Sequence, residues 1–337
     1  MDKDWSDKNK EFQKLITKEA TFKDGIKVLL DLRGSLFEQI TQIVNSYPKD
    51  AFWKMPFAGA KGYHSKTLAY SIWHVFRIED IVLHTLILNN SQVLERGEWK
   101  KKIGAEIITT GNELSGQQIA EFSKTLDVKV LYEYAKAVKE STDEYLKGLD
   151  YVSLKKKFSE SDRQRVATCG GVSSDEKAWW LIDYWCGKDV AGLLKMPFSR
   201  HWIMHIEAMR RIKNKLCTMA RKGVDPVAYC GFSCNHCFLG QWCGSCRTEY
   251  NTCSFATCSP DGVCPNAKKK KKKGFYTPEC DGANGAKAQA LFVGKYGKKE
   301  FLKMQEKFHE KYEFTKTQEI LGQDLEEGLR ILEEIYK

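Results

Sequence analysis

The stretch Leu68-Ala69-Tyr70-Ser71-Ile72-Trp73-His74-Val75-Phe76-Arg77-Ile78-Glu79-Asp80-Ile81-Val82-Leu83-His84-Thr85-Leu86-Ile87-Leu88 decides the fold. Its apolar residues recur around most of a helical circumference, and such a helix has to be enclosed by others on nearly every side. The linker Pro48 to Tyr63, with Pro56, Gly59 and Gly62, precedes it, and Ser65 is placed to cap its start. The stretch reaches the length needed to span a bilayer, yet His74, Arg77, Glu79, Asp80 and His84 interrupt it, so a membrane span is excluded.

Working outward, Ile26, Leu29, Leu30, Leu32, Leu36, Ile40 and Ile43 fall at helical spacing between Thr21 and Ser46, and Pro48 stops that helix. Residues 90 to 126 mix Lys100, Lys101 and Lys102 with Thr109-Thr110-Gly111-Asn112 and read as a loop or short helices. Asp127 to Leu149 carries Val130, Leu131, Tyr134, Ala137, Val138 and Tyr145 on an amphipathic pattern. Ser173 with Glu176 forms a capping-box pattern opening a helix near Ser174 that holds Trp179, Trp180, Tyr184 and Trp185. Ser199 is placed to cap a further helix from Arg200 to Leu216. The expected fold class is mainly α: a helical bundle over residues 1 to 222, then a small cysteine-rich metal-binding module with closing helices over residues 223 to 337. The closing helices are expected at Ala286 to Val293, Lys299 to Lys311 and Thr317 to Tyr336.

The 337 residues are 42% apolar and carry a net charge of +10, enough for two domains with real cores. The charge divides unevenly, with 37 basic and 29 acidic residues before Gly223 against 17 and 15 from there on. The cysteine-rich half is therefore nearly neutral, which argues against nucleic acid as a partner. Met1-Asp2-Lys3-Asp4-Trp5 lacks the basic and apolar pattern of a secretory signal, so the expected location is the cytoplasm.

His201 and His205 stand four apart on a helix, about 40° from one another around its axis, so both rings can address one ion. A third ligand is expected from His74 on the other strongly apolar helix, because bundle metal sites are built from inward-facing side chains of different helices. Glu207 lies about 200° around the axis from His205 and is given no ligand role, and neither His64 nor His84 is read as a ligand. Arg77 and Glu79 could orient ligands or bind an acidic thiol cofactor, or could simply pair with neighbouring charges.

Ser71-Ile72-Trp73-His74-Val75-Phe76-Arg77-Ile78-Glu79-Asp80, followed downstream by His201-Trp202-Ile203-Met204-His205, resembles the DinB superfamily over roughly residues 20 to 220. The resemblance implies a four-helix bundle with a divalent metal, zinc, iron or nickel, held by His74, His201 and His205. It also implies sulfur-centred chemistry: a metal-dependent S-transferase or hydrolase activating a small-molecule thiol or water against a small electrophile. His201-x-x-x-His205-x-Glu207 is similar as well to the iron motif of the superfamily's sulfoxide synthases, whose second domain has no counterpart here.

Nine of the twelve cysteines fall between Cys230 and Cys280. Cys230, Cys234, Cys237, Cys243, Cys246, Cys253, Cys258 and Cys264 are closely spaced, and the pairs Cys234-x2-Cys237 and Cys243-x2-Cys246 let two thiolates converge on one ion. Zinc is expected, with an iron–sulfur cluster as the alternative. Tyr229-Cys230-Gly231-Phe232-Ser233-Cys234-Asn235-His236-Cys237 resembles the opening of a prokaryotic cysteine-rich domain thought to bind zinc, and Lys295-Tyr296-Gly297-Lys298-Lys299-Glu300-Phe301 is similar to its closing region. The competing functional reading is a non-catalytic adaptor that uses this module to contact protein or nucleic acid. Lys268 to Lys273 reads as a solvated loop.

Overall fold

A computed structural model describes residues 2–224, 243–245, 248–250, 284–313 and 316–337. The chain divides into two units, one of residues 1–45 and 49–213, the other of residues 46–48 and 214–337. Among the described residues the regular structure is all helical, so the chain is mainly α.

In the first unit, α1 (Lys3–Leu15) starts at an Asp2 cap and buries Trp5 and Phe12. Helix α2 (Glu19–Ser46) buries Ile26, Leu29, Leu32, Leu36, Ile40 and Ile43. Helix α3 (Leu68–Asp80) is buried at every residue, as its all-round apolarity requires. It widens into a π-helical segment over Ile81–Leu88, which ends at Asn89 in the left-handed conformation. The cap of α3 is Thr67, whose hydroxyl accepts from the Tyr70 amide at 3.0 Å. Ser65 instead closes a short 3-10 turn by donating to the Gly62 carbonyl, because that turn separates it from the helix.

The polar stretch after Asn89 holds α4 (Val93–Arg96), α5 (Trp99–Ile103) and α6 (Gln117–Thr125). Helix α7 (Val128–Gly148) is capped by Asp127. Helix α1 and α8 (Glu160–Thr168) lie beyond the reading of periodicity, because their mean hydropathy is too low to announce a core face. Helix α9 (Glu176–Cys186) is capped by Asp175, whose carboxylate is nearer the first amides than the Ser173 hydroxyl. Helices α10 (Val190–Lys195) and α11 (Arg200–Ala220) follow. Ser199 turns back to donate to the Lys195 carbonyl, so it closes α10 rather than capping α11.

The four long helices α2, α3, α7 and α11 meet around one polar knot set in an apolar core. Arg33 of α2 donates to both carboxylate oxygens of Glu79 on α3, to Asp143 on α7 and to the Phe198 carbonyl. Trp202 of α11 donates its indole N–H to Glu79 at 2.8 Å and lies under the Arg33 guanidinium at 4.4 Å. Arg33 and Glu79 are shut off from solvent, and each guanidinium nitrogen and each carboxylate oxygen of the pair has a hydrogen-bond partner, the condition under which a buried ion pair is tolerated. Phe37, Phe76 and Trp202 pack edge-to-face beside it.

In the second unit α12 (Asn284–Tyr296), α13 (Lys298–Lys311), α14 (Thr317–Leu321) and α15 (Leu325–Tyr336) enclose Ala288, Phe292, Phe301, Met304, Phe308, Leu321 and Leu332. The helix expected from Thr317 to Tyr336 is broken in two. Asp324 caps the second piece by accepting from the Glu326 and Glu327 amides, a local competitor that the apolar pattern does not register. Of the eight closely spaced cysteines only Cys243, which is buried, is among the described residues; Cys230, Cys234, Cys237, Cys246, Cys253, Cys258 and Cys264 lie outside them, as do Cys280 and the lysine run.

Candidate metal centre

His74 sits in the second turn of α3, and His201 and His205 sit in the first two turns of α11. The indole of Trp202, anchored on Glu79, fixes the rotation of α11 so that the flanking histidines face α3. The three rings come together: centroids lie 5.1 Å apart for His74 and His201, 4.8 Å for His74 and His205, and 4.6 Å for His201 and His205. One nitrogen from each ring lies within 4.8 Å of the others. The Nε2 atoms of His74 and His201 are 3.3 Å apart, close to the separation that two ligands adopt when each bonds a tetrahedral ion at about 2.0–2.1 Å.

The orientation of His74 is built from outside the pair of helices. Its Nδ1 faces the Thr110 carbonyl at 2.8 Å, so this nitrogen carries the proton and Nε2 is turned, unprotonated, toward the other two rings. The Thr110 amide donates to the Gly171 carbonyl, and Tyr70 donates to the Gly111 carbonyl at 3.0 Å while its ring stacks on His74 at 5.5 Å and 10°. Gly111 adopts φ +78, a left-handed conformation that lets the loop present the preceding carbonyl to the imidazole. Tyr63, partly exposed, stands edge-on to His205 at 4.8 Å.

Burial sets the electrostatics. His74 is pushed down to about 4 by desolvation, with the Lys66 charge adding to the effect and the Thr110 carbonyl opposing it. His201 and His205 are held well below the usual imidazole range, again chiefly by burial and then by the neighbouring imidazoles. All three are therefore neutral bases at pH 7, the form that coordinates a metal. His201 Nδ1 and both nitrogens of His205 are buried and have no hydrogen-bond partner. A neutral imidazole offers one lone pair, so a cation among the rings would take one nitrogen from each, Nε2 of His74 and of His201 and one nitrogen of His205, and would relieve that His205 orphan, whose cost is otherwise roughly 1–3 kcal/mol. The donor set thus fits a divalent metal. Imidazole accepts zinc, iron and nickel alike, so the ligands do not select among them.

The remaining residues singled out from the sequence go elsewhere. All five N–H donors of Arg77 are engaged, by Asp80, Tyr134, Gln92 and, twice, the Ile108 carbonyl. Glu79 is held by Arg33 and Trp202. The structure thus places both in buried hydrogen-bonded ion-pair networks and brings neither among the three rings. Glu207 accepts from the Asp2 amide, in keeping with its position off the histidine face. His64 meets Arg211 at 3.1 Å, and His84 is held between Asp80 and Ser141. Thr110, Tyr70 and Trp202 orient the centre without having been singled out. Only the Thr-Gly turn carried a sequence signal, as a polar loop, and nothing local tied it to His74.

Comparison of the sequence with family models and with curated proteins gives no match. Among the described residues no helix is long and apolar enough to cross a membrane.

Proposed function

We propose that this chain is a metal-dependent enzyme of the DinB type, in which His74, His201 and His205 hold a zinc, iron or nickel ion and a small-molecule thiol or water is activated for transfer or hydrolysis on a small electrophile. One observation carries the reading: three buried, neutral imidazoles from two helices converge with unpaired nitrogens. A divalent ion bound there supplies a Lewis acid that favours the deprotonated thiol or water at neutral pH. The chain's own residues do the rest. Thr110 fixes the tautomer of His74, Trp202 on Glu79 fixes the facing of α11, and burial of the rings excludes bulk water. Tyr63, the partly exposed group against His205, marks the side from which a substrate approaches. In the same reading the cysteine-rich segment binds zinc in a structural role, and the location is the cytoplasm.

Metal analysis of the full-length wild-type protein and of the His201→Ala, His205→Ala double variant tests this. The expected result is loss of one metal equivalent in the variant, with the cysteine-bound metal retained and thiol transfer to a chromogenic electrophile abolished. Equal metal content in a variant of unchanged far-UV circular dichroism rejects the centre.

A further inference from the structure

Apart from the three-histidine centre, the first unit contains a second cluster of reactive side chains. Asp80 closes α3, His84 lies in the π-helical segment, and Ser141 lies on α7. His84 Nδ1 is 2.8 Å from Asp80 Oδ1, and its Nε2 is 2.9 Å from Ser141 Oγ. The Asp80 carboxylate is shut off from solvent and also accepts from the Val93 and Leu94 amides, Tyr134 and Arg77, an environment that keeps it ionised and acceptor-only. Facing that carboxylate, Nδ1 carries the proton, and Nε2 is left as the base toward the serine hydroxyl. The neighbouring Thr142 makes the ordinary helical hydroxyl bond, to the Val138 carbonyl, whereas the Ser141 hydroxyl is held by His84 instead.

We propose that Ser141, His84 and Asp80 form a second, metal-independent catalytic site that cleaves small carboxylic esters. The arrangement is that of a nucleophile, a general base and an orienting carboxylate, recognised by geometry and not by order along the chain. The π-helical winding that carries His84 is a rare local geometry enriched at functional sites. A cavity of about 370 Å³ lies beside the cluster, lined by Ile87 and Leu88 of the π-helical segment and by Glu144 and Tyr145, three and four residues after Ser141 on α7, although Ser141 and His84 do not themselves line it. Burial holds the Tyr145 phenol up at about 12, so it stays protonated at neutral pH and is a hydrogen-bond donor on the wall of that cavity for a developing oxyanion.

The step balances within the chain and its substrate. Ser141 Oγ forms a bond to the ester carbonyl carbon as its proton passes to His84 Nε2. The tetrahedral adduct collapses, the bond to the leaving oxygen breaks, and that oxygen takes the proton from His84 as it departs as an alcohol. Water, deprotonated by the same Nε2, then cleaves the acyl-serine to a carboxylic acid and restores the hydroxyl.

The test uses the full-length protein with p-nitrophenyl acetate as substrate and a fluorophosphonate as covalent probe. One phosphonyl adduct on the peptide containing Ser141 is expected, together with ester turnover that falls roughly 100-fold or more in Ser141→Ala. Both signals should persist in the chelator-treated protein and in the His201→Ala, His205→Ala variant, which keeps the result separate from that of the metal centre. Ser141→Ala leaves the buried His84 Nε2 without its partner and should lower the melting temperature by a few degrees; unchanged far-UV circular dichroism and a single cooperative unfolding transition confirm that it folds. Absence of the Ser141 adduct from folded wild-type protein, or turnover that survives Ser141→Ala, overturns the proposal.

Discussion

Glu79→Gln isolates the polar knot that holds the four long helices in register. In the native protein Glu79 accepts two bonds from Arg33, at 2.7 and 3.0 Å, and one from Trp202, at 2.8 Å, with both charged groups shut off from solvent. The substitution keeps the shape of the side chain, removes its charge and turns an amide N–H₂ toward a guanidinium that can only donate. Arg33 would keep Asp143, but Asp143 is shared with Lys139, so the buried guanidinium is left short of one negative partner. Removing one partner of a buried pair costs about 3–5 kcal/mol. For a unit of this size each kcal/mol lowers the melting temperature by about 2–4 °C, so a drop of about 6–20 °C is expected. Loosening of the Trp202 anchor should weaken metal binding at the flanking histidines in parallel. Differential scanning calorimetry with chelator competition measures both. A loss of stability below about 1 kcal/mol, accompanied by a selective loss of activity, would refute the structural assignment and return Glu79 to the ligand-binding role considered from sequence.

Metal-free protein should lose stability as pH falls below about 6.5: the unfolded chain takes up protons on its histidines there, while the folded state holds His74 neutral down to about 4 and His201 and His205 neutral lower still. Stability is thus complete above that range, and His74 alone accounts for about 3 kcal/mol lost by pH 4; urea midpoints that stay level from pH 7 to 5 in chelator contradict this. Gly111→Ala places a side chain at φ +78 with its Cβ 3.0 Å from the Tyr70 ring, so the Thr110 carbonyl should shift off His74 and metal affinity fall roughly 10-fold, read by chelator competition. Gly328→Ala sets a Cβ 2.4 Å from the Leu321 carbonyl oxygen where α14 and α15 cross, so the second unit should lose about 1–3 kcal/mol in thermal unfolding while the histidine centre keeps its metal.

Helical periodicity is a property of one segment at a time, and what it can announce was legible. The Leu68–Leu88 stretch declared its own burial, and the four-residue spacing placed His201 and His205 on one face before any partner was known. Helix ends were less legible. Thr67, Asp175 and Asp324 cap where other residues or an unbroken helix were expected, because several short polar side chains compete within a few residues and packing selects among them.

The convergence of His74 with the pair on α11 was an expectation from the sequence that only the tertiary structure could decide. It depends on how α3 and α11 are rotated about their axes, and that rotation is set by Arg33, Glu79 and Trp202, three residues that no local pattern connects. The same holds for the Thr110 carbonyl behind His74 and for Ser141 opposite His84. Composition and spacing determine which side chains a helix presents to the interior; the packing of one helix against another determines which of them meet.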